Sequence, residues 1–164
     1  MATISEIKAN VKGRARLNRF RVTLPTPSGV LQDVFVKSTK LPGRSFEDMS
    51  IKHRGATIKF AGEPVYNDWT VEVYSEDYVE YEKIFAWMNK IGENYDITRG
   101  SASDYKVSGV RVDQIALDNS IMATLYLDGV YPKGLEDVSF DSESQEIGKF
   151  SVTFSIDAIR FERA

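Results

Sequence analysis

The chain has 164 residues, 42% hydrophobic and 27% charged, with no cysteine, one histidine and a formal charge of −3. That is the length of one domain with one core, so 1–164 reads as a single unit and neither disorder nor a fibrous class fits. Lack of cysteine excludes a disulfide framework, a thiolate metal site and a cysteine nucleophile, and a lone His53 excludes clustered imidazole ligands.

Ile4, Ile7 and Val11 have the spacing of a short amphipathic helix closed by Gly13. No apolar h-region accompanies them, and Glu6 argues against a transit peptide. Residues 1–17 therefore read as an N-terminal arm that orders against a neighbour, and 18–164 as a β core. Phe20, Val22 and Leu24 alternate with polar residues, and 25–29 (Pro-Thr-Pro-Ser-Gly) makes a turn. Residues 30–36 read as the returning strand of a first hairpin, ended by Leu41-Pro42-Gly43. Met49, Ile51, Ile58 and Phe60 mark a second pair bent at Arg54-Gly55. Trp69, Val71 and Val73 alternate with Thr70, Glu72 and Tyr74 in a further strand.

One helix is predicted over about 77–91, with Tyr78, Tyr81, Ile84, Phe85, Met88 and Ile91 on its apolar stripe. Ser75 or Asp77 is positioned to cap it, and Gly92 to end it. After a polar loop, 107–116 and 121–131 read as a hairpin across Asp118-Asn119. An acidic loop spans 136–146 and lacks the twelve-residue calcium pattern. In the last strand Phe150, Val152, Phe154 and Ile156 alternate with Ser151, Thr153, Ser155 and Asp157. Ile159 and Phe161 have the opposite parity, which predicts a bulge at Asp157-Ala158. The fold class is mainly β, an antiparallel sandwich or barrel with one packed helix. No apolar run approaches the roughly 20 residues of a membrane helix.

Charge is unevenly spread. Residues 1–60 hold twelve Lys/Arg against four Asp/Glu, a balance of +8, and the remainder holds nine against twenty, −11. This speaks to partners and assembly rather than fold. A basic face for nucleic acid is one reading, but Phe20 is the only aromatic within the basic run from Ile7 to Gln32. Contact between the basic part of one copy and the acidic part of another accounts for both halves. Chemistry is sparse: no Walker loop, dinucleotide fingerprint or nucleophile elbow occurs, and His53 has no second histidine with which to build a triad. A glycosidase-type carboxylate pair needs a fixed geometry that residue counting does not supply. No catalytic residue, cofactor or metal site is assigned.

The run Ile58-Lys59-Phe60-Ala61-Gly62-Glu63, followed by 66–73 (Tyr-Asn-Asp-Trp-Thr-Val-Glu-Val), resembles the central signature of contractile-phage tail tube proteins. So do Asn18-Arg19-Phe20, Leu41-Pro42, Phe85-Ala86-Trp87, Leu127-Asp128-Gly129-Val130-Tyr131-Pro132 and 150–154 (Phe-Ser-Val-Thr-Phe), in order along the chain. The resemblance implies a non-enzymatic structural protein of the virion tail, assembled in the host cytoplasm. Homohexameric rings would stack into a tube inside a contractile sheath, meeting baseplate and tube-terminator proteins and passing double-stranded DNA without specific binding. Each subunit would give about four strands to an inner barrel. Some twenty-four strands about 4.8 Å apart make a circle approaching 40 Å across. Tubes of injection particles and baseplate tube initiators share the resemblance. From another class, a monomeric nucleic-acid-binding β-domain is the alternative.

A conduit should not hold its cargo through Lys/Arg–phosphate contacts. Glu72, Asp113, Asp128 and Asp157 are therefore assigned to an acidic lumen. Ring stacking requires one face to meet a different face. Arg14, Arg16 and Arg19 are assigned to that contact, against Glu136, Asp137, Asp141 and Glu143 of another subunit.

Overall fold

Strict apolar alternation builds the centre of the protein. The computed structural model describes residues 18–27, 29–31, 36–75, 77–92, 99–136, 138, 143 and 147–164. Strands β1 (Phe20–Thr26), β2 (Gly29–Leu31), β3 (Val36–Lys40), β4 (Arg44–His53), β5 (Ala56–Tyr66) and β6 (Trp69–Tyr74) precede helix α1 (Val79–Ile91). A one-turn helix α2 (Ala102–Tyr105) follows, then β7 (Val110–Ile115), β8 (Ile121–Asp128), β9 (Tyr131–Leu135), β10 (Lys149–Ser155) and β11 (Ala158–Arg163). They form a five-stranded sheet in the order β11-β8-β7-β1-β2, a four-stranded sheet in the order β3-β6-β10-β9, and a two-stranded ribbon of β4 and β5.

Every pairing is antiparallel. In the four-stranded sheet, Phe150 faces Val73, Val152 faces Val71 and Phe154 faces Trp69, so one face is apolar throughout. Val22, Leu24, Val110, Val112 and Leu127 supply the inner face of the other sheet to the same core. Ile84 and Trp87 of α1 are wholly buried in that core. The Phe154 ring lies 5.2 Å from Trp69 and 5.8 Å from Trp87, joining sheet and helix. Trp87 Nε1 donates to the Tyr105 carbonyl at 2.6 Å, and Trp69 Nε1 to Thr39 Oγ1 at 2.7 Å, so neither indole buries an unmet donor.

Several boundaries differ from the sequence reading. Among the described residues Gly29–Leu31 returns along β1, while Val36–Lys40 joins the other sheet. The expected strand over 121–131 stops at Asp128, because Gly129 (φ 65°) turns the chain into β9. A Cβ at Gly129 would run into the Asp157 carboxylate. No bulge sits at Asp157-Ala158. Those residues carry the chain from one sheet to the other, β10 to β11, and the parity change marks that crossing. Helix α1 starts at Val79 behind Tyr78 (φ 62°), whose side chain does not cap it, and Asp77 Oδ1 accepts from the Val79 amide at 3.3 Å. Gly92 is extended (φ 178°), so left-handed geometry does not end the helix. Phe85 and Tyr78, placed on the core stripe by spacing, are exposed, and Glu80 is buried instead beside Lys83. The 1–17 arm lies outside the described residues.

Phe154→Ala should lower the unfolding free energy of the unassembled subunit by about 3–5 kcal/mol, through lost packing against both indoles. Phe161→Ala, at a side chain that is 65% exposed, should change it by less than about 0.5 kcal/mol. Urea unfolding followed by tryptophan fluorescence compares the two.

Candidate functional site

Polar and apolar residues alternate along β4 and β5, but among the described residues no element covers the apolar side. Register pairs Met49 with Phe60 and Ile51 with Ile58 on one face, and Ser50 with Lys59 and Lys52 with Thr57 on the other. Met49, Ile51, Ile58 and Phe60 are all about half exposed. The ribbon turns at Arg54 (φ 48°) and Gly55 (φ 84°), the positive-φ pair of a tight hairpin, and exposed His53 lies beside that turn. At its base the Asn67 amide donates to the Gly43 carbonyl at 3.0 Å. The β3–β6 pairing thus continues into β4–β5 as one long, bent hairpin. Single exposed apolar residues are ordinary; a cross-strand row of four on a projecting ribbon marks an interaction surface.

The face of the four-stranded sheet turned away from the core carries Ser38, Thr70, Glu72, Tyr74, Ser151 and Thr153. Glu72 stands at its middle, its side chain 25% exposed, and Ser38 Oγ donates to Oε2 at 3.0 Å. Lys37 Nζ approaches Oε2 at 3.4 Å and Lys149 Nζ approaches Oε1 at 3.8 Å. Burial alone would raise the Glu72 pKa, but the Ser38 hydrogen bond and the Lys37 and Lys149 charges outweigh it and hold the carboxyl below its usual value.

The other proposed lumen acids do not share that face. Asp113 lies on β7 in the five-stranded sheet, with a relative exposure of 0%. A group with no surface cannot line a channel, so its assignment is corrected. Thr124 Oγ1 donates to Asp113 Oδ1 at 2.7 Å. Arg111 Nε lies 3.3 Å from Oδ2, an ion pair by distance whose direction leaves both atoms without a hydrogen bond. Asp157 sits at the crossing between sheets, 2.7 Å from Lys106 Nζ, and this contact raises the Lys106 pKa. Asp128 is exposed at the end of β8.

Among the residues proposed for stacking, Arg14, Arg16, Asp137 and Asp141 lie outside the described residues. Glu136 and Glu143 are exposed. Arg19 is occupied within the subunit: its guanidinium donates to the Leu117 carbonyl at 3.3 Å and to Asn119 Oδ1, bracing the β7–β8 turn. Among the described residues, no group of three or more His, Asp or Glu is placed to hold a metal ion, and no helix is long and apolar enough to cross a membrane. Sequence reasoning found the ribbon strands but not their lack of cover, and it did not link Lys37 and Lys149 to Glu72. The register of Ser38 and Ser151 on either side of Glu72 supplies that link.

Residues 15–161 match the family described as phage tail tube protein. The tail tube protein gp19 of Enterobacteria phage T4 is 29% identical over 125 residues, 74% of this chain and 76% of that one. Its counterpart in Enterobacteria phage T6 is 30% identical over the same shares. A chain from the sheath–tube complex of the extracellular contractile injection system PVC, in the extended state, has the same fold. It superposes with a TM-score of 0.72 at 16% identity, covering 100% of both chains.

Because Glu72 titrates lower in the folded state than in the unfolded chain, it stabilises the fold above about pH 4.3. That contribution should fall away as pH drops through its folded value. Glu72→Gln should flatten this part of the acid limb, read as urea midpoint against pH for both proteins.

Proposed function

Because this chain belongs to the phage tail tube protein family, we propose that six copies close into a ring and that the rings stack into the inner tube of a contractile tail. Membership itself makes it a structural tube protein of the virion tail. The sheath around that tube, the baseplate and terminator at its ends, and double-stranded DNA passing through it complete the proposed surroundings. The role needs no catalytic group.

The observation that carries the ring is the four-stranded sheet, whose edge strands β3 and β9 have no outer partner among the described residues. Its strands alternate in direction, so β9 of one copy and β3 of the next meet antiparallel, and the alternation can run unbroken around a closed barrel. Closure removes the unpaired edges that a lone sheet exposes. The contact is heterologous, as a cyclic ring requires. One face of this sheet carries α1 and the second sheet, so its hydroxyl-rich face, with Glu72, is the one left for the channel. Asp157 and Asp128 stand at the sheet crossing, at the border of that surface rather than at its centre.

The ribbon supports contact beyond the ring joint. A two-stranded hairpin alone is marginal in water, and the row Met49, Ile51, Ile58 and Phe60 gains most by lying on another copy. The basic arm, with Arg14 and Arg16, and the acids of 136–146, with Glu136, Asp137, Asp141 and Glu143, add a charged contact between stacked rings. Surface ion pairs contribute about 0–1 kcal/mol each, so the apolar row contributes the larger share.

Ile51→Asp combined with Phe60→Asp should leave a folded monomer with unchanged circular dichroism and abolish tubes in negative-stain electron microscopy. Tubes of normal length and number would contradict the ribbon's part. Arg14→Glu with Arg16→Glu should leave rings but shorten tubes, and unchanged tube length would remove the arm from stacking.

A further inference from the structure

We propose that Glu72 is a neutralising clamp: by engaging Lys37 and Lys149 it keeps this face of the sheet from holding a polyanion. The proposal rests on the reading that this face lines the channel, and it reverses the simpler expectation of an acidic wall.

The charges on the face are not those of a repelling surface. Lys37 and Lys40 come from β3 and Lys149 from β10, against the single carboxylate of Glu72 on the strand between them. Without that carboxylate, β3, β6 and β10 would present three lysines among serines, threonines and Tyr74, with Glu136 beyond Ser151 at the end of β9 as the remaining acid beside them, a composition suited to phosphate. Each Lys–phosphate contact releases counterions, and a ring would repeat the contact in every subunit. Glu72 lies where it opposes this most effectively. Its two oxygens face different lysines, Oε2 toward Lys37 at 3.4 Å and Oε1 toward Lys149 at 3.8 Å.

Ser38 fixes that orientation. Its hydroxyl donates to Oε2 at 3.0 Å, and its register position opposite Glu72 follows from the irregularity between Val36 and Ser38. That irregularity also brings Lys37 to the carboxylate. Both lysines are partly exposed, 35% and 42% at the side chain, so an approaching phosphate could reach them. To form a contact it would have to displace a carboxylate that is already in place. The face therefore holds cations near the cargo while denying the cargo their charge.

Glu72→Gln preserves side-chain volume and an acceptor for Ser38, and it releases both lysines. The assembly-blocked background Ile51→Asp/Phe60→Asp supplies subunits, and the otherwise native sequence supplies tubes. A short fluorescent DNA duplex is titrated against each at several salt concentrations. On subunits, Glu72→Gln should bind the duplex more tightly at low salt. Its log affinity against log salt should steepen by about 2, the value for two released lysines. Adding Lys37→Gln and Lys149→Gln should cancel the gain. Subunits of Glu72→Gln with the parent's affinity and salt slope would overturn the clamp, as would a gain that survives loss of both lysines. On tubes the gain should be lost when streptavidin caps both ends of a biotinylated duplex and bars it from the channel; a gain that survives this capping would leave the clamp standing and overturn the placement of this face in the channel.

Discussion

A β-strand has two edges to pair and two faces to place, and this subunit by itself leaves both tasks unfinished. The four-stranded sheet ends at β3 and β9, the five-stranded sheet at β2 and β11, and the ribbon projects with an apolar row about half exposed. The core, by contrast, is complete: Trp69, Trp87 and Phe154 are all but inaccessible and both indoles are hydrogen-bonded. Such a molecule folds as a unit yet carries surface whose free energy falls only against another molecule. For a tail tube protein, that unsatisfied surface is the functional part.

The uneven charge acquires a different meaning in three dimensions. By position in the chain, the basic part ends near residue 60 and the acidic part follows. Antiparallel pairing disregards that division and sets β3, from the basic part, directly against β6, from the acidic part. Lys37 thereby meets Glu72 across that division, while Lys59 with Asp48, and Lys106 and Lys133 with Asp157 and Asp68, pair within one part. Of these pairs, the contact at Glu72 is the one that offsets charge between the two parts.

The periodic segments were legible in the sequence. β6 and β10 bury every second residue as their alternation requires, and α1 buries Ile84 as its spacing indicates but turns Trp87 inward where the stripe had placed Phe85. β9 was not legible, because Tyr-Pro-Lys-Gly-Leu has no alternation and carries proline, which an edge strand tolerates. The parity change near Asp157 was visible, but a bulge and a passage between sheets leave the same trace in one dimension. Asp113 was misplaced because polar alternation identifies the face away from the core and not whether neighbouring side chains cover it. The ribbon shows the same limit: alternation predicts that one face is buried, without naming the molecule that buries it.

If assembly completes the β4–β5 ribbon, amide hydrogen exchange will register it. Backbone amides of 44–66 should exchange rapidly in the unassembled subunit, where an isolated two-stranded hairpin opens readily. In assembled tubes the same amides should be strongly protected, while those of β6 and β10 should be slow in both states. Equal and rapid exchange of the ribbon before and after assembly would mean that no other copy covers it.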